Sequence, residues 1–156
     1  MKVQYHNRTR ATPEIEAEYY ATWCPTLESL LSTSDVISVS IPQNASTIGY
    51  LSEKEFSQMK DGVFLINTAR GPIVDEKALI AALESGKVAR AGLDVFDGEP
   101  QINPYFAQSE KVIIQPHLGG LTNRAARDAE RECFANIEAL FKTGRPVAPI
   151  NEIKSV

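Results

Sequence analysis

Val63-Phe64-Leu65-Ile66-Asn67-Thr68-Ala69-Arg70-Gly71-Pro72 is the stretch that decides the fold. Its opening is a short apolar run closed by turn residues, the pattern of a buried strand, and an arginine follows directly at what should be the strand's carboxyl end. Open α/β sheets gather their ligands at that edge. Two similar placements come later: Glu99 a few residues behind the strand-like run 91–96, and His117 just behind the run 112–114. A carboxylate-binding cation, an acid and an imidazole are therefore expected to converge on one edge of a sheet.

Working outward, short apolar runs at 3–5, 21–23, 36–41, 63–66, 91–96 and 112–114 alternate with longer stretches of helical period. Such alternation predicts parallel strands joined by helices. Ser52 with Glu55 forms a capping box that opens a helix over Glu53–Gln58, and Asp75 caps another whose Leu79, Ile80 and Leu83 share a face before Gly86 stops it. The longest helix is expected to start at Thr122 or Asn123 and to end at Gly144 and Pro146. Its apolar stripe of Ala126, Ala129, Cys133, Ile137 and Leu140 is expected to pack in the core. No internal repeat or linker interrupts the chain, so one compact unit over 1–150 is expected, with 151–156 as a frayed tail.

With 156 residues, 43% of them apolar, the chain is long enough for a real core. A net charge of −4 without a basic block argues against nucleic acid or an anionic membrane as partner, and no apolar run reaches the length of a bilayer span. Small-molecule chemistry in an intracellular, cytoplasmic setting is the expectation. Cys24 and Cys133 lack metal-ligand spacing, and no metal site is expected.

Arg70 carries a planar fork of donors that matches a carboxylate in two parallel hydrogen bonds; a surface ion pair is the competing reading. His117, one of two histidines, suits proton transfer near neutral pH, whereas a capping or solvent-facing role is its ordinary alternative. Glu99 could hold one imidazole nitrogen and fix the ring, although taken alone it reads as loop charge. Asn7, Arg8 and Arg10 follow the first strand, where dinucleotide folds distinguish the adenosine ribose. An uncharged Asn7 with two arginines favours NADP over NAD, unless this is simply a solvated basic turn.

Three stretches together resemble the D-isomer-specific 2-hydroxyacid dehydrogenases, nearest the glyoxylate and hydroxypyruvate reductase branch. They are Phe64-Leu65-Ile66-Asn67-Thr68-Ala69-Arg70-Gly71 with Val74-Asp75, then Ala91-Gly92-Leu93-Asp94-Val95-Phe96 leading to Glu99-Pro100, and then Pro116-His117-Leu118-Gly119-Gly120. The resemblance implies an α/β, doubly wound and mainly parallel Rossmann-like NAD(P)-binding domain, with Arg70 binding the substrate carboxylate, His117 as general acid/base and Glu99 as its partner. It further implies that Asp94, Thr68 and Ala69 seat the nicotinamide, that Thr47, Arg70, His117, Gly119 and Gly120 also border the cofactor, and that Pro42 lies in the loop along its adenosine side. Arg8 and Arg10 would meet the 2′-phosphate. A homodimer is implied for the intact protein.

No Gly-x-Gly-x-x-Gly occurs in the sequence. The glycine-rich turn that binds pyrophosphate in the family is expected to lie before Met1, which makes the dinucleotide fold incomplete and weak cofactor binding the expectation for the chain alone. Two other readings stand beside a reductase of small 2-oxo acids. One is an NAD-dependent dehydrogenase of another acid, such as phosphoglycerate, formate or lactate. The other is a non-catalytic dinucleotide-sensing module, against which the joint presence of Arg70, Glu99 and His117 speaks.

Overall fold

The computed structural model describes residues 1–149. In chain order its elements are β1 (Val3–Tyr5), α1 (Pro13–Glu18), β2 (Ala21–Trp23), α2 (Leu27–Thr33), β3 (Val36–Val39), α3 (Glu53–Gln58), β4 (Val63–Asn67), a 3-10 turn (Gly71–Ile73), α4 (Glu76–Ser85), β5 (Val88–Leu93), α5 (Pro104–Gln108), β6 (Val112–Ile114) and α6 (Asn123–Thr143). Each strand pairing is parallel, in the orders β1-β2 and β3-β4-β5-β6. The expected α/β class with a parallel sheet is thus the one observed.

Where one compact unit was expected, the chain divides into two, Met1–His117 and the part from Leu118 onward. In the first, β3 and β4 alternate as strands of a half-buried sheet do: Val63, Leu65 and Asn67 of β4 are buried while Phe64 and Ile66 are exposed. The buried face, with Ile37, Val39, Val88 and Leu93, joins Leu31 of α2, Phe56 of α3, Leu79 and Leu83 of α4 and Phe106 of α5 in one apolar cluster.

Caps explain the boundaries. Glu55 Oε2 accepts from the Ser52 amide at 3.1 Å before α3, and Asp75 accepts from the Ala78 amide at 3.0 Å before α4. Gly86 closes α4 in the left-handed region, at φ 81°, where a side chain would be strained. From there the chain enters the sheet almost at once, so the strand expected at 91–96 lies three residues earlier, as Val88–Leu93. Asp94, Val95 and Phe96 are buried as the apolar pattern suggested, but they form the turn behind the strand. The strand expected at 36–41 likewise ends at Val39.

Register decides where the strands end relative to one another. Val39 pairs with Asn67, Asn67 with Leu93, and Leu93 with Ile114, so four strands finish on a single row. Arg70 and His117 each lie three residues beyond that row.

In the second unit, Thr122 caps α6 through the Ala125 amide at 3.1 Å, and Gly144 ends the helix at φ 73°. The stripe expected as core is not buried: Ala126, Ala129, Cys133, Ile137 and Leu140 are all exposed. A helical period shows that a face is apolar without specifying what covers it. The tail expected over 151–156 lies outside the described residues.

Candidate functional site

At the end of β4 a buried asparagine turns the chain. Asn67, 1% exposed, accepts from the Ala69 amide through Oδ1 at 3.0 Å and donates through Nδ2 to the Arg70 carbonyl at 3.1 Å. Arg70 itself is exposed, its Nη1 donating to the Ala69 carbonyl at 2.7 Å. Gly71 then passes so close to the turn behind β5 that a Cβ there would lie 1.9 Å from the Phe96 carbonyl carbon. No side chain fits such an approach, which is why glycine follows the arginine.

That same turn carries the acid. Glu99 Oε1 accepts from the Phe96 amide at 2.7 Å, and Glu99 Oε2 lies 2.8 Å from Nδ1 of His117. The bond to His117, and after it the Phe96 amide, holds the Glu99 carboxyl below its ordinary value of 4.5. An ionised carboxylate only accepts, so the hydrogen of the pair sits on Nδ1 and Nε2 is the ring nitrogen left for other partners. The His117 amide donates to the Asp94 carbonyl at 2.9 Å, and the Asp94 amide to the Asn67 carbonyl at 3.0 Å. His117 has φ 58°, a left-handed conformation that costs a non-glycine residue about 1–2 kcal/mol. Arg70, Glu99 and His117 are therefore carried by three turns that are bonded or packed to one another along one sheet edge.

A pH dependence follows from Glu99. Because its folded value is depressed, its contribution to stability is complete above about pH 4.5 and is lost as pH falls through the lower folded value. Denaturant midpoints of the wild type and Glu99→Gln are expected to differ by a constant amount above that pH and to converge below it. A difference independent of pH would contradict the pairing.

The other residues expected at a cofactor divide into groups. Asn7, Arg8, Pro42 and Thr47 line a cavity of about 180 Å³ beside β3, together with Ser38 and Ser40. Thr47 Oγ1 braces its rim, donating to the Pro42 carbonyl and accepting from the Asn44 amide, both at 2.8 Å. Arg70, Glu99 and His117 do not line it. Arg10 is engaged elsewhere: Nε and Nη2 each donate to the Glu16 carboxylate at 2.8 Å, and the guanidinium lies 5.4 Å from the centroid of the Trp23 ring. Arg10 foremost, with the Tyr5 hydroxyl, pulls the Glu16 carboxyl down to about 2. Arg8 has no ion pair among the described residues.

Thr68 is exposed and Ala69 half-buried on the Arg70 loop, whereas Asp94 is buried at 7% exposure. Gly119 and Gly120 belong to the second unit, in the turn where the Leu121 amide donates to the Leu118 carbonyl at 2.9 Å. Among the described residues no group of acids, histidines and cysteines is arranged to hold a metal, and no helix is long and apolar enough to cross a membrane. The sequence reading missed the roles of Asn67 and Gly71. A usable signal existed for the first: alternation from Val63 and Leu65 puts an amide on the buried face.

Residues 1–119 match the family described as D-isomer specific 2-hydroxyacid dehydrogenase, NAD binding domain. The chain is 59% identical over 153 residues to Dehydrogenase efuE of Hormonema carpetanum, covering 98% of this chain and 38% of that protein. It is 44% identical over 156 residues to 4-methyl-2-oxopentanoate reductase A of Aspergillus oryzae, covering all of this chain and 46% of that one. A crystal structure of a glyoxylate reductase from Paecilomyes thermophila superposes with a TM-score of 0.89 at 40% identity, over 99% of this chain and 46% of the other. The chain thus spans less than half the length of these relatives.

Proposed function

Since the chain belongs to the D-isomer-specific 2-hydroxyacid dehydrogenases and forms a Rossmann-like NAD(P)-binding domain of that family, we propose that the protein reduces a small 2-oxo acid, of the glyoxylate or hydroxypyruvate kind, to the D-2-hydroxy acid. The observation that carries this reading is the 2.8 Å bond between Glu99 and His117 on the edge where the Arg70 loop also ends. A bound nicotinamide supplies the hydride to the carbonyl carbon. Arg70 grips the substrate carboxylate with two parallel hydrogen bonds and aligns the keto group. His117, its Nδ1 held by Glu99, delivers a proton from Nε2 to the carbonyl oxygen as negative charge builds there, and recovers it from solvent. Thr68, Ala69 and Asp94 are proposed to border the nicotinamide.

NADPH is the proposed reductant in preference to NADH. Asn7 and Arg8 are among the residues lining the cavity beside β3 and no acidic residue is, so a 2′-phosphate there would meet a cation and no competing carboxylate. Arg10, already committed to Glu16, is the weaker candidate. A cytoplasmic homodimer completes the proposal for the intact protein.

The test is a rate comparison with NADPH and NADH at matched concentrations, on the chain completed to its relatives' length with the matching segment of the Paecilomyes thermophila enzyme. Glyoxylate, hydroxypyruvate and 4-methyl-2-oxopentanoate serve as substrates. Arg8→Ala is expected to raise KM for NADPH about tenfold or more while leaving NADH nearly unchanged, the loss of one charge-assisted contact. Equal effects on both cofactors would remove Arg8 from the 2′-phosphate, and no turnover of any 2-oxo acid would remove the reductase reading.

A further inference from the structure

We infer that Asn67 is a positioning residue whose side-chain amide fixes the path of the chain into Arg70, an inference that rests on reading Arg70 as the carboxylate-binding group. The position asks for an apolar side chain: Val63 and Leu65 precede it on the buried face of β4, and Asn67 is itself fully enclosed. Its amide is satisfied only because both ends bond the backbone it turns, Oδ1 receiving the Ala69 amide and Nδ2 reaching the Arg70 carbonyl. Together these bonds hold the peptide unit before Ala69 and the one after Arg70, on either side of the Arg70 Cα, and fixing those units fixes where the guanidinium starts. The Asn67 carbonyl receives the Asp94 amide, and Gly71 lies against the Phe96 carbonyl. Asn67 thereby refers Arg70 to the turn that holds Glu99 and, through it, His117.

The isosteric variant Asn67→Asp isolates the donor. A protonated carboxyl still accepts from Ala69 and donates its hydroxyl to the Arg70 carbonyl, whereas the ionised form has nothing to donate and repels that carbonyl. Burial penalises the charged form, so the switch should fall above the usual aspartate range. In ¹⁵N spectra of the chain, the Arg70 and Gly71 amides of Asn67→Asp are expected to match the wild type at low pH and to depart from it as pH rises, with the Leu83 amide unmoved. Arg70 and Gly71 amides that stay at their wild-type positions at every pH would overturn the inference.

Hydrogen exchange on the wild-type chain gives a reading that needs no variant. The Ala69 amide is expected to exchange at least about tenfold more slowly than an exposed amide, and an unprotected Ala69 would equally overturn the role. These readouts judge Asn67 without turnover. In the completed enzyme, Asn67→Asp should raise KM for glyoxylate more than it lowers kcat at pH values where the carboxyl is ionised. An altered Arg70 spectrum with unchanged KM would instead count against Arg70 as the carboxylate binder.

Discussion

His117→Ala is expected to lower kcat for reduction of a 2-oxo acid by about 10²- to 10⁴-fold, the range usually contributed by a positioned general acid. KM for the substrate should move little, because the imidazole acts on charge that develops after binding. The geometry makes the expectation specific. Glu99 occupies Nδ1, so a single nitrogen is left to carry the transferred proton, and the ring is fixed from one side by a carboxylate that is in turn held by the Phe96 amide. Glu99→Gln should therefore be the milder variant: its amide can still meet either the ring or the Phe96 amide, but without the charge that keeps the hydrogen on Nδ1. Steady-state kinetics with glyoxylate would measure both. A His117→Ala enzyme with unchanged kcat would remove the proton-transfer role.

Arg70→Ala should cut kcat/KM for the acid by about 10²- to 10⁴-fold, the loss of two hydrogen bonds to a charged group at about 1.5–3 kcal/mol each. Arg70→Lys should recover only part of it, since an ammonium supplies charge without the fork. The discriminating control is a neutral keto amide in place of the keto acid. Wild-type enzyme should handle it poorly, and Arg70→Ala should handle it about as well as the wild type does. If Arg70→Ala harmed acid and amide alike, the arginine would be supporting the loop, and its bond to the Ala69 carbonyl would be its function.

Much of this edge was legible in the sequence because strand ends are local events. The runs at 3–5, 21–23 and 112–114 became strands over those residues, and the caps at Ser52, Asp75, Gly86 and Gly144 bounded their helices as expected. Pairing register was not legible. Only the pairing of Asn67 with Leu93 and of Leu93 with Ile114 brings the three turns level, and no periodicity states which residue faces which. The displacement of β5 has the same origin: Val95 and Phe96 are as apolar as a strand residue, and burial alone does not separate a strand from the buried turn behind it.

Short helices escaped for a different reason. α1, α2 and α5 have six, seven and five residues, too few for a 3.6-residue period to register. Their caps were the available signal, Thr26 receiving the Ser29 amide and Asn103 receiving the Tyr105 amide, each at 3.1 Å. Arg10 shows the limit for charged residues. Its attachment to Glu16 depends on α1 folding back towards the end of β1, so an arginine read from the sequence as a phosphate ligand is held in an ion pair within the fold.

The central claim is that Arg70, Glu99 and His117 serve one keto group, and isotope transfer tests it most directly. With NADPH deuterated at the nicotinamide C4 and hydroxypyruvate as acceptor, the completed enzyme should form D-glycerate carrying deuterium at C2, and His117→Ala should form it far more slowly. Unlabelled product, an L-configured product, or transfer at the same rate without His117 would contradict the account.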